Sequence, residues 1–312
     1  MSAVPTISLR DGISDAATLA RLDAACRDHG FFLLTDHGMG VAIEDMWSAS
    51  KGFFSAPMAY KRKVMRTDEI PLGYYERELT KRKRDQKEVF DYMKPRPDKS
   101  DVNQWPQDAT FKNALLSFFD AAAVVAQETL ELVYAALGSD SESLPQGDAR
   151  TSTVRLNYYP HEDPLSDEER ADIAGLGDMA LHHHTDPGVL TLLLQDTAGG
   201  LQTHSTEDGW IDVPPQPDTV VVNLGDSLQV WSNDVYRAAV HRVRPVSRGG
   251  RYSTPFFYNP TRDAVLKPLV ELDESEPRYR SFTWREFIQA RVEDNYADLG
   301  EEDTQISQYR LS

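Results

Sequence analysis

The residues best equipped to do chemistry are a histidine and an aspartate one position apart, His184 and Asp186 in Leu181-His182-His183-His184-Thr185-Asp186-Pro187-Gly188, with a second histidine, His241, far downstream. Side chains two residues apart on an extended strand share a face, so His184 and Asp186 reach one metal ion together and His241 completes the set. Two neutral imidazoles and one carboxylate on one side of an ion suit ferrous iron and leave the opposite side open to oxygen and a substrate. A His-x-Asp tripeptide alone arises often by chance; its weight here comes from the residues that accompany it. Alternation also puts His182 on the face of His184, and that pair is a plausible zinc set. Asp186 decides for the iron set and leaves His182 to the pocket. It also fills the place an iron-dependent halogenase keeps for its halide, which argues against halogenation.

Ten residues after His241 comes Arg251-Tyr252-Ser253, in which Arg251 and Ser253 share a face. A guanidinium fork gives a carboxylate two charge-assisted hydrogen bonds and a serine hydroxyl adds a third donor, the anchor a dicarboxylate cosubstrate needs. Phe257 falls on the same face. Arg155, Asn157 and Tyr159 share a face of another strand, where an amide and a phenol can orient polar ligand atoms.

These side chains need a frame. Ser14 to His29 reads as an amphipathic helix with Ser14 as N-cap, Phe31 to Thr35 as a buried strand, and Ala42 to Ser55 as a second helix. Residues 60–103 are rich in charge, Pro and Gly, with the basic runs Lys61-Arg62-Lys63 and Lys81-Arg82-Lys83-Arg84, and they carry Tyr74, Tyr75, Phe90 and Tyr92 as aromatic islands. A long irregular stretch of this kind predicts a lid over the pocket, so Tyr74 and Tyr75 join Phe257 and His182 as candidate substrate contacts. Phe111 to Leu137 is the strongest helical pattern and predicts a scaffold helix under a sheet.

From Thr151 the period becomes two. Strands are expected at Thr153–Tyr159, Ala180–His184, Val189–Gln195, Leu201–His204, Trp210–Val213, Thr219–Leu224, Ser227–Trp231, Ala239–Val243 and Tyr252–Tyr258, with Gly225-Asp226 as a hairpin turn and His161 to Asp178 as an acidic insertion. Thr283-Trp284-Arg285-Glu286 is a capping box that opens a last helix to about Tyr296. The pattern implies one domain over 1–312, mainly β with flanking helices. It divides into a mostly helical N-terminal section (1–150), a jelly-roll core (151–260) whose mouth is a natural ligand site, and a helical extension (261–312).

The chain has 312 residues, 40% of them hydrophobic, with 33 basic and 50 acidic side chains and a net charge of -17. Such a charge repels phosphate backbones and anionic lipid surfaces, so neither nucleic acid nor a membrane is an expected partner; a small molecule is. No uninterrupted run of about eighteen apolar residues is present. With Cys26 as the single cysteine and no apolar signal segment at the start, a reducing cytoplasm is expected, and a monomer is the default state.

In Phe31-Phe32, Arg155-Leu156-Asn157-Tyr158-Tyr159-Pro160, His184-Thr185-Asp186, Gly199-Gly200-Leu201-Gln202, Asn223-Leu224-Gly225-Asp226, His241-Arg242-Val243 and Arg251-Tyr252-Ser253 the sequence resembles the isopenicillin N synthase-like group of 2-oxoglutarate and Fe(II)-dependent oxygenases, especially plant-type members such as flavonol synthase and gibberellin oxidases. The resemblance implies a double-stranded β-helix wrapped by helices. It also implies iron on His184, Asp186 and His241, the distal carboxylate of 2-oxoglutarate on Arg251 and Ser253, and its chelating end near Asn157 and Tyr159. Hydroxylation, desaturation or ring closure of a small molecule with O2 would then accompany decarboxylation of 2-oxoglutarate to succinate, with ascorbate as a stimulatory reductant. Where plant members continue the Asn-x-Tyr-Pro motif with Pro-Cys-Pro, this chain has His161-Glu162-Asp163-Pro164. Two other readings stay open: an iron oxidase that does not use 2-oxoglutarate, and a non-catalytic jelly-roll binding protein.

Overall fold

The two-residue alternation that begins near Thr153 becomes antiparallel pairing, and strands from the N-terminal half join it. The computed structural model describes residues 4–67, 69–80, 83–95, 102–139, 144–171, 173, 175–176, 179–245, 249–269, 271–273, 275–296 and 304–311. Lys81, Arg82 and some residues of the acidic insertion lie outside these residues. In chain order the first half holds β1 (Thr6–Ser8), α1 (Ala16–Asp28), β2 (Phe31–Thr35), α2 (Gly40–Phe54), α3 (Met58–Lys61), β3 (Gly73–Tyr75), β4 (Leu79–Thr80), β5 (Lys83–Arg84), β6 (Glu88–Tyr92) and α4 (Ala109–Ala136). The second half holds β7 (Thr153–Tyr159), α5 (Asp167–Arg170), β8 (Leu181–His184), β9 (Leu190–Gln195), β10 (Leu201–Ser205), β11 (Gly209–Asp212), β12 (Val220–Leu224), α6 (Asp226–Trp231), β13 (His241–Val243), β14 (Arg251–Tyr258), β15 (Val265–Leu266), β16 (Phe282–Thr283) and α7 (Trp284–Tyr296).

An eight-stranded sheet in the order β1-β2-β12-β9-β14-β7-β6-β3 faces a four-stranded sheet in the order β11-β10-β13-β8, the jelly-roll arrangement. Phe31, Leu33, Leu193 and Val221 of the large sheet fill the space between the layers with Leu201, Ala239 and Val243 around the small one. The other face of the large sheet is buried too, because Phe32, Leu34, Leu192, Leu194, Val222 and Phe256 pack under the helices. Burial on both faces explains why β2, β9 and β12 read as near-continuous apolar runs. α4 is capped by Asp108, whose carboxylate accepts from the N–H groups of Thr110 and Phe111, and its buried stripe runs from Phe111 through Leu115, Phe118 and Ala122 to Val133. By length and composition alone α4 is apolar enough to cross a membrane; here its Phe119 meets Phe256 of β14 edge-on at 5.2 Å.

Three expectations change. The helix at the start is capped by Asp15 rather than Ser14. Ser227–Trp231 is a helix, and Gly225-Asp226 opens that helix instead of turning a hairpin. Residues 60–103 are not a lid where they are described: β3 and β6 pair with each other and continue the large sheet beyond β7, so the N-terminal section supplies β1, β2, β3 and β6 to a core expected only within 151–260. Alternation on these two strands sends Tyr74, Phe90 and Tyr92 toward the helices, where Tyr74 and Phe90 meet Phe53 at 6.0 and 5.1 Å. Tyr74, Phe90 and Tyr92 are fully buried core residues. Three members of the basic runs are likewise committed, since Lys61 pairs with Glu88, Arg62 with Glu76 and Glu169, and Arg84 with Asp163.

Candidate metal and cosubstrate site

His184 closes β8 and sits directly across from His241, the first residue of β13, which brings the two ring centroids to 4.2 Å. Asp186 follows in the loop, its Oδ1 3.7 Å from His184 Nε2 and 3.9 Å from His241 Nε2. One ligand atom from each of the three lies within 4.8 Å of the others. The hydrogen bonds on the far side of each ligand set which atom faces that centre. His184 Nδ1 lies 2.9 Å from the carbonyl of His182 and His241 Nδ1 lies 2.9 Å from that of Ala239. A carbonyl only accepts, so both Nδ1 atoms carry the proton and both Nε2 lone pairs turn inward. Burial, then the neighbouring His241, presses the His184 imidazole down to about 3, so it stands ready as a neutral ligand. Asp186 is held in the same way, because its Oδ2 accepts from Thr191 Oγ1 at 2.6 Å and from Asn223 Nδ2 at 2.8 Å while Oδ1 is left to the centre. Burial would raise the Asp186 carboxyl, but His241, His184 and these two donors outweigh it and keep the group ionised.

The loop that carries Asp186 is clamped by the start of α6. Asp226 N–H donates to the Asp186 carbonyl at 2.8 Å, Gly225 N–H to Val189 at 2.9 Å and Ser227 Oγ to Pro187 at 2.9 Å, so the open N–H groups of a helix start satisfy the loop carbonyls. Gly225 has to be glycine, since a Cβ there would collide with the Gly188 carbonyl. From the other side Arg291 of α7 donates to the Thr185 carbonyl at 2.8 Å. The sequence alone points to none of these clamps. Asn223 enters it only within a matching stretch and Thr191 not at all; the available signal for Asn223 is a polar residue within the apolar run Val220-Val221-Val222-Asn223-Leu224.

Arg251 begins β14 opposite Tyr159, with its guanidinium carbon 5.0 Å from that ring centre. Its Nε donates to the Gly199 carbonyl at 2.9 Å and its Nη1 to Ser253 Oγ at 3.1 Å. Nη2 is buried without a partner, and no carboxylate among the described residues pairs with this 1% exposed cation. A buried cation with an orphaned N–H is expensive unless an anion completes it, so the site fits a carboxylate ligand. Ser253 Oγ also receives Asn157 Nδ2 at 3.5 Å, which leaves its own hydroxyl proton to donate.

Strand register arranges these groups in rows on the inner face of the large sheet. Phe257, Thr191, Asn223 and Phe31 lie in one row at the metal end. Tyr75, Val89, Asn157 and Ser253 form another, and Arg251 and Tyr159 the next. Of the candidate substrate contacts, Phe257 and Tyr75 are therefore on the pocket face and partly open. Tyr74 is on the opposite face, a correction that follows from the single-residue step between it and Tyr75. His182 contributes its carbonyl to His184, and its ring supplies no atom to the three-ligand cluster.

Residues 150–260 match the model of the 2OG-Fe(II) oxygenase superfamily, and residues 4–108 match that of the N-terminal region described as non-haem dioxygenase in morphine synthesis. Gibberellin 20 oxidase 1 of Arabidopsis thaliana is 31% identical over 95% of this chain and 80% of its own length. A full-length Neurospora crassa protein crystallised in complex with alpha-KG superposes with a TM-score of 0.79 at 26% identity, covering 93% of this chain and 96% of that one. JOX2 in complex with 2OG, Fe and JA gives a TM-score of 0.79 at 25% identity, covering 99% and 89%.

Proposed function

The chain belongs to the 2OG-Fe(II) oxygenase superfamily and is an Fe(II)- and 2-oxoglutarate-dependent dioxygenase, and from that premise we propose which residues do the work and where a small organic substrate sits. His184, Asp186 and His241 hold the iron. Arg251 and Ser253 take the distal carboxylate of 2-oxoglutarate; Tyr159, opposite Arg251 in the row farthest from the metal end, joins them at that carboxylate rather than at the chelating end where the sequence reading put it, and Asn157 lies one row nearer the iron. The observation that carries this reading is the pairing of three converging ligand atoms with a buried, unsatisfied guanidinium in the same barrel. Iron with 2-oxoglutarate would supply the oxidising chemistry, coupling use of O2 and decarboxylation to succinate with oxidation of the substrate.

The protein's own contribution is orientation. The Nδ1–H bonds to His182 and Ala239 fix both imidazoles, Thr191 and Asn223 fix Asp186, and Ser253 and Gly199 fix the Arg251 fork, so the ligands are preorganised before anything binds. Phe257 stands in the row of Thr191 and Asn223, and Tyr75 two rows away in the row of Asn157, so a substrate placed between them extends from the metal end toward the cosubstrate residues. Both faces suit a small, partly apolar molecule. The Neurospora protein has also been crystallised with thymine, and JOX2 with JA, so this frame accommodates ligands of differing chemistry in its relatives.

The test is succinate formation from 2-oxoglutarate under air with Fe(II) and ascorbate, together with the visible absorption band of an anaerobic Fe(II)·2-oxoglutarate complex. Failure of the iron-loaded protein to bind 2-oxoglutarate would sink the assignment. An oxidase that does without the cosubstrate could use Arg251 and Ser253 for a carboxylate of its substrate, so the absorption band of the 2-oxoglutarate complex separates that reading, and a binding protein would have no use for three preoriented ligand atoms.

A further inference from the structure

Six charged side chains cluster where β3, β6 and β7 extend the large sheet past the cosubstrate residues. Arg155 binds both oxygens of Asp91 at 2.7 Å and Glu78 at 2.8 Å. Lys87 lies 3.0 Å from Glu78 and 3.0 Å from Asp85, and Arg66 lies 2.9 Å from Glu78 and 3.9 Å from Asp91. Three cations thus meet three carboxylates. Burial would raise the Glu78 carboxyl, but Arg155, Lys87 and Arg66 together hold it well below the ordinary range; Lys87 is raised against its burial by Asp85 and Glu78. The three positive and three negative formal charges of the cluster cancel.

The place of this network matters more than its strength. Asp91 and Arg155 are a cross-strand pair on the inner face, one row from Asn157 and Ser253 and one row from the level of Phe257. Lys87 lies within electrostatic reach of the Tyr159 side chain. Arg66 stacks over the ring of Tyr75 at 3.6 Å. Arg155, 25% exposed in its side chain, is the most open of the six, against 0–11% for the others. Burying so many ions gives little net stability compared with well-packed apolar residues, so stability alone does not account for them.

We propose that this charge-balanced network is the polar wall of the substrate pocket and that it selects an uncharged substrate with adjacent hydrogen-bond donor and acceptor groups, such as a cyclic amide or imide, over a carboxylic acid. The inference rests on the substrate lying between Phe257 and Tyr75. An incoming carboxylate meets cations whose charge is already spent on Asp91, Glu78 and Asp85, and to pair with Arg155 it must displace one of them into a buried place without a partner. A neutral amide adds donors to Asp91 and acceptors to Arg155 without changing the balance, while Phe257 and Tyr75 offer ring faces for stacking.

The experiment uses full-length protein loaded anaerobically with Fe(II) and 2-oxoglutarate. A panel of cyclic amides and imides, each matched with an aromatic carboxylic acid of the same ring size, is titrated while the visible band is followed. Neutral members are expected to bind roughly tenfold or more tightly than their acid partners, the scale of one charge-assisted hydrogen bond lost. Asp91→Asn gives the wall a net positive charge and should move the acid-to-neutral ratio about tenfold toward the acids; Glu78→Gln removes the same single charge and serves if Asp91→Asn does not fold. Acids that match the neutral compounds in wild type, a panel in which no neutral member binds, or a ratio unmoved in a folded charge variant each overturn the proposal. The pocket reading fails separately, when the band is absent or when Phe257→Ala leaves every bound compound unaffected.

Discussion

Replacing Thr191 by valine removes one hydroxyl from a residue that is 2% exposed and leaves its volume nearly unchanged. That hydroxyl donates to Asp186 Oδ2 at 2.6 Å, one of two bonds on that oxygen. A hydrogen bond to a charged group contributes about 1.5–3 kcal/mol, so Fe(II) affinity should fall roughly ten- to a hundredfold, the range seen when a partner behind a metal ligand is lost. Asn223 still holds the same oxygen, which favours the lower end, and Thr191→Ser should restore most of the loss. The assay is anaerobic competition for Fe(II), repeated with Co(II), whose absorbance reports ligand geometry, with thermal melting of the metal-free protein as the control for folding. Because both bonds end on one atom, Thr191→Val and Asn223→Ala should be non-additive in a double-mutant cycle. A folded Thr191→Val protein with Fe(II) affinity within about twofold of wild type, or one that lost 2-oxoglutarate instead of metal, would refute the claim that this hydroxyl orients Asp186.

Other expectations follow from the same geometry. Asp186→Ala should abolish iron-dependent succinate formation, as it removes a ligand and the charge that balances the ion; retained turnover would exclude it as a ligand. Arg251→Ala should raise the 2-oxoglutarate requirement roughly ten- to a hundredfold with little change in metal binding, measured by separate titrations. Phe257→Ala and Tyr75→Ala should alter turnover of an identified substrate while sparing 2-oxoglutarate affinity, whereas Tyr74→Ala should destabilise the fold by about 3–5 kcal/mol, as large aromatic truncations in a core do, and so lower the melting temperature. For Glu78, depressed in the folded state, the unfolded chain takes up its proton first as pH falls through the ordinary value of 4.5. The stability it contributes is present above that pH and lost below it, so Glu78→Gln should flatten the fall in melting temperature on acidification, and an unchanged slope would contradict the assignment.

What the sequence made legible, and what it hid, follows from the range of the interactions involved. The grouping of His184 with Asp186, of Arg251 with Ser253 and of Asn157 with Tyr159 was readable because each pair lies within one strand or its continuation, where a two-residue period fixes the shared face. Thr191 and Asn223 were not, because their approach to Asp186 depends on the pairing of β9 with β12, a register that no local window contains. The apparent lid was misread for the same reason: the partners that neutralise Arg62, Arg84 and Arg155 are Glu169, Asp163 and Asp91, each distant in sequence. α6 passed for a strand because Leu228-Gln229-Val230-Trp231 alternates, although Asp226 in its first turn was the available helix signal.

Register also explains why one rule served both the correct and the mistaken readings. Tyr75, Val89, Asn157, Ser253 and Gln195 are a single row across five strands, and the row of Asp91 and Arg155 is one step nearer the metal end. Tyr74 differs from Tyr75 by one position and is therefore on the other side of the sheet, in the core. A one-residue slip of β14 against β7 and β9 would exchange Arg251, Ser253 and Phe257 for Tyr252, Thr254 and Tyr258 at one stroke. The face beneath β14 is closed by Phe256 and Tyr258 packed under α4, so the same apolar burial that stabilises the barrel fixes the register and keeps Arg251, Ser253 and Phe257 in line on the inner face.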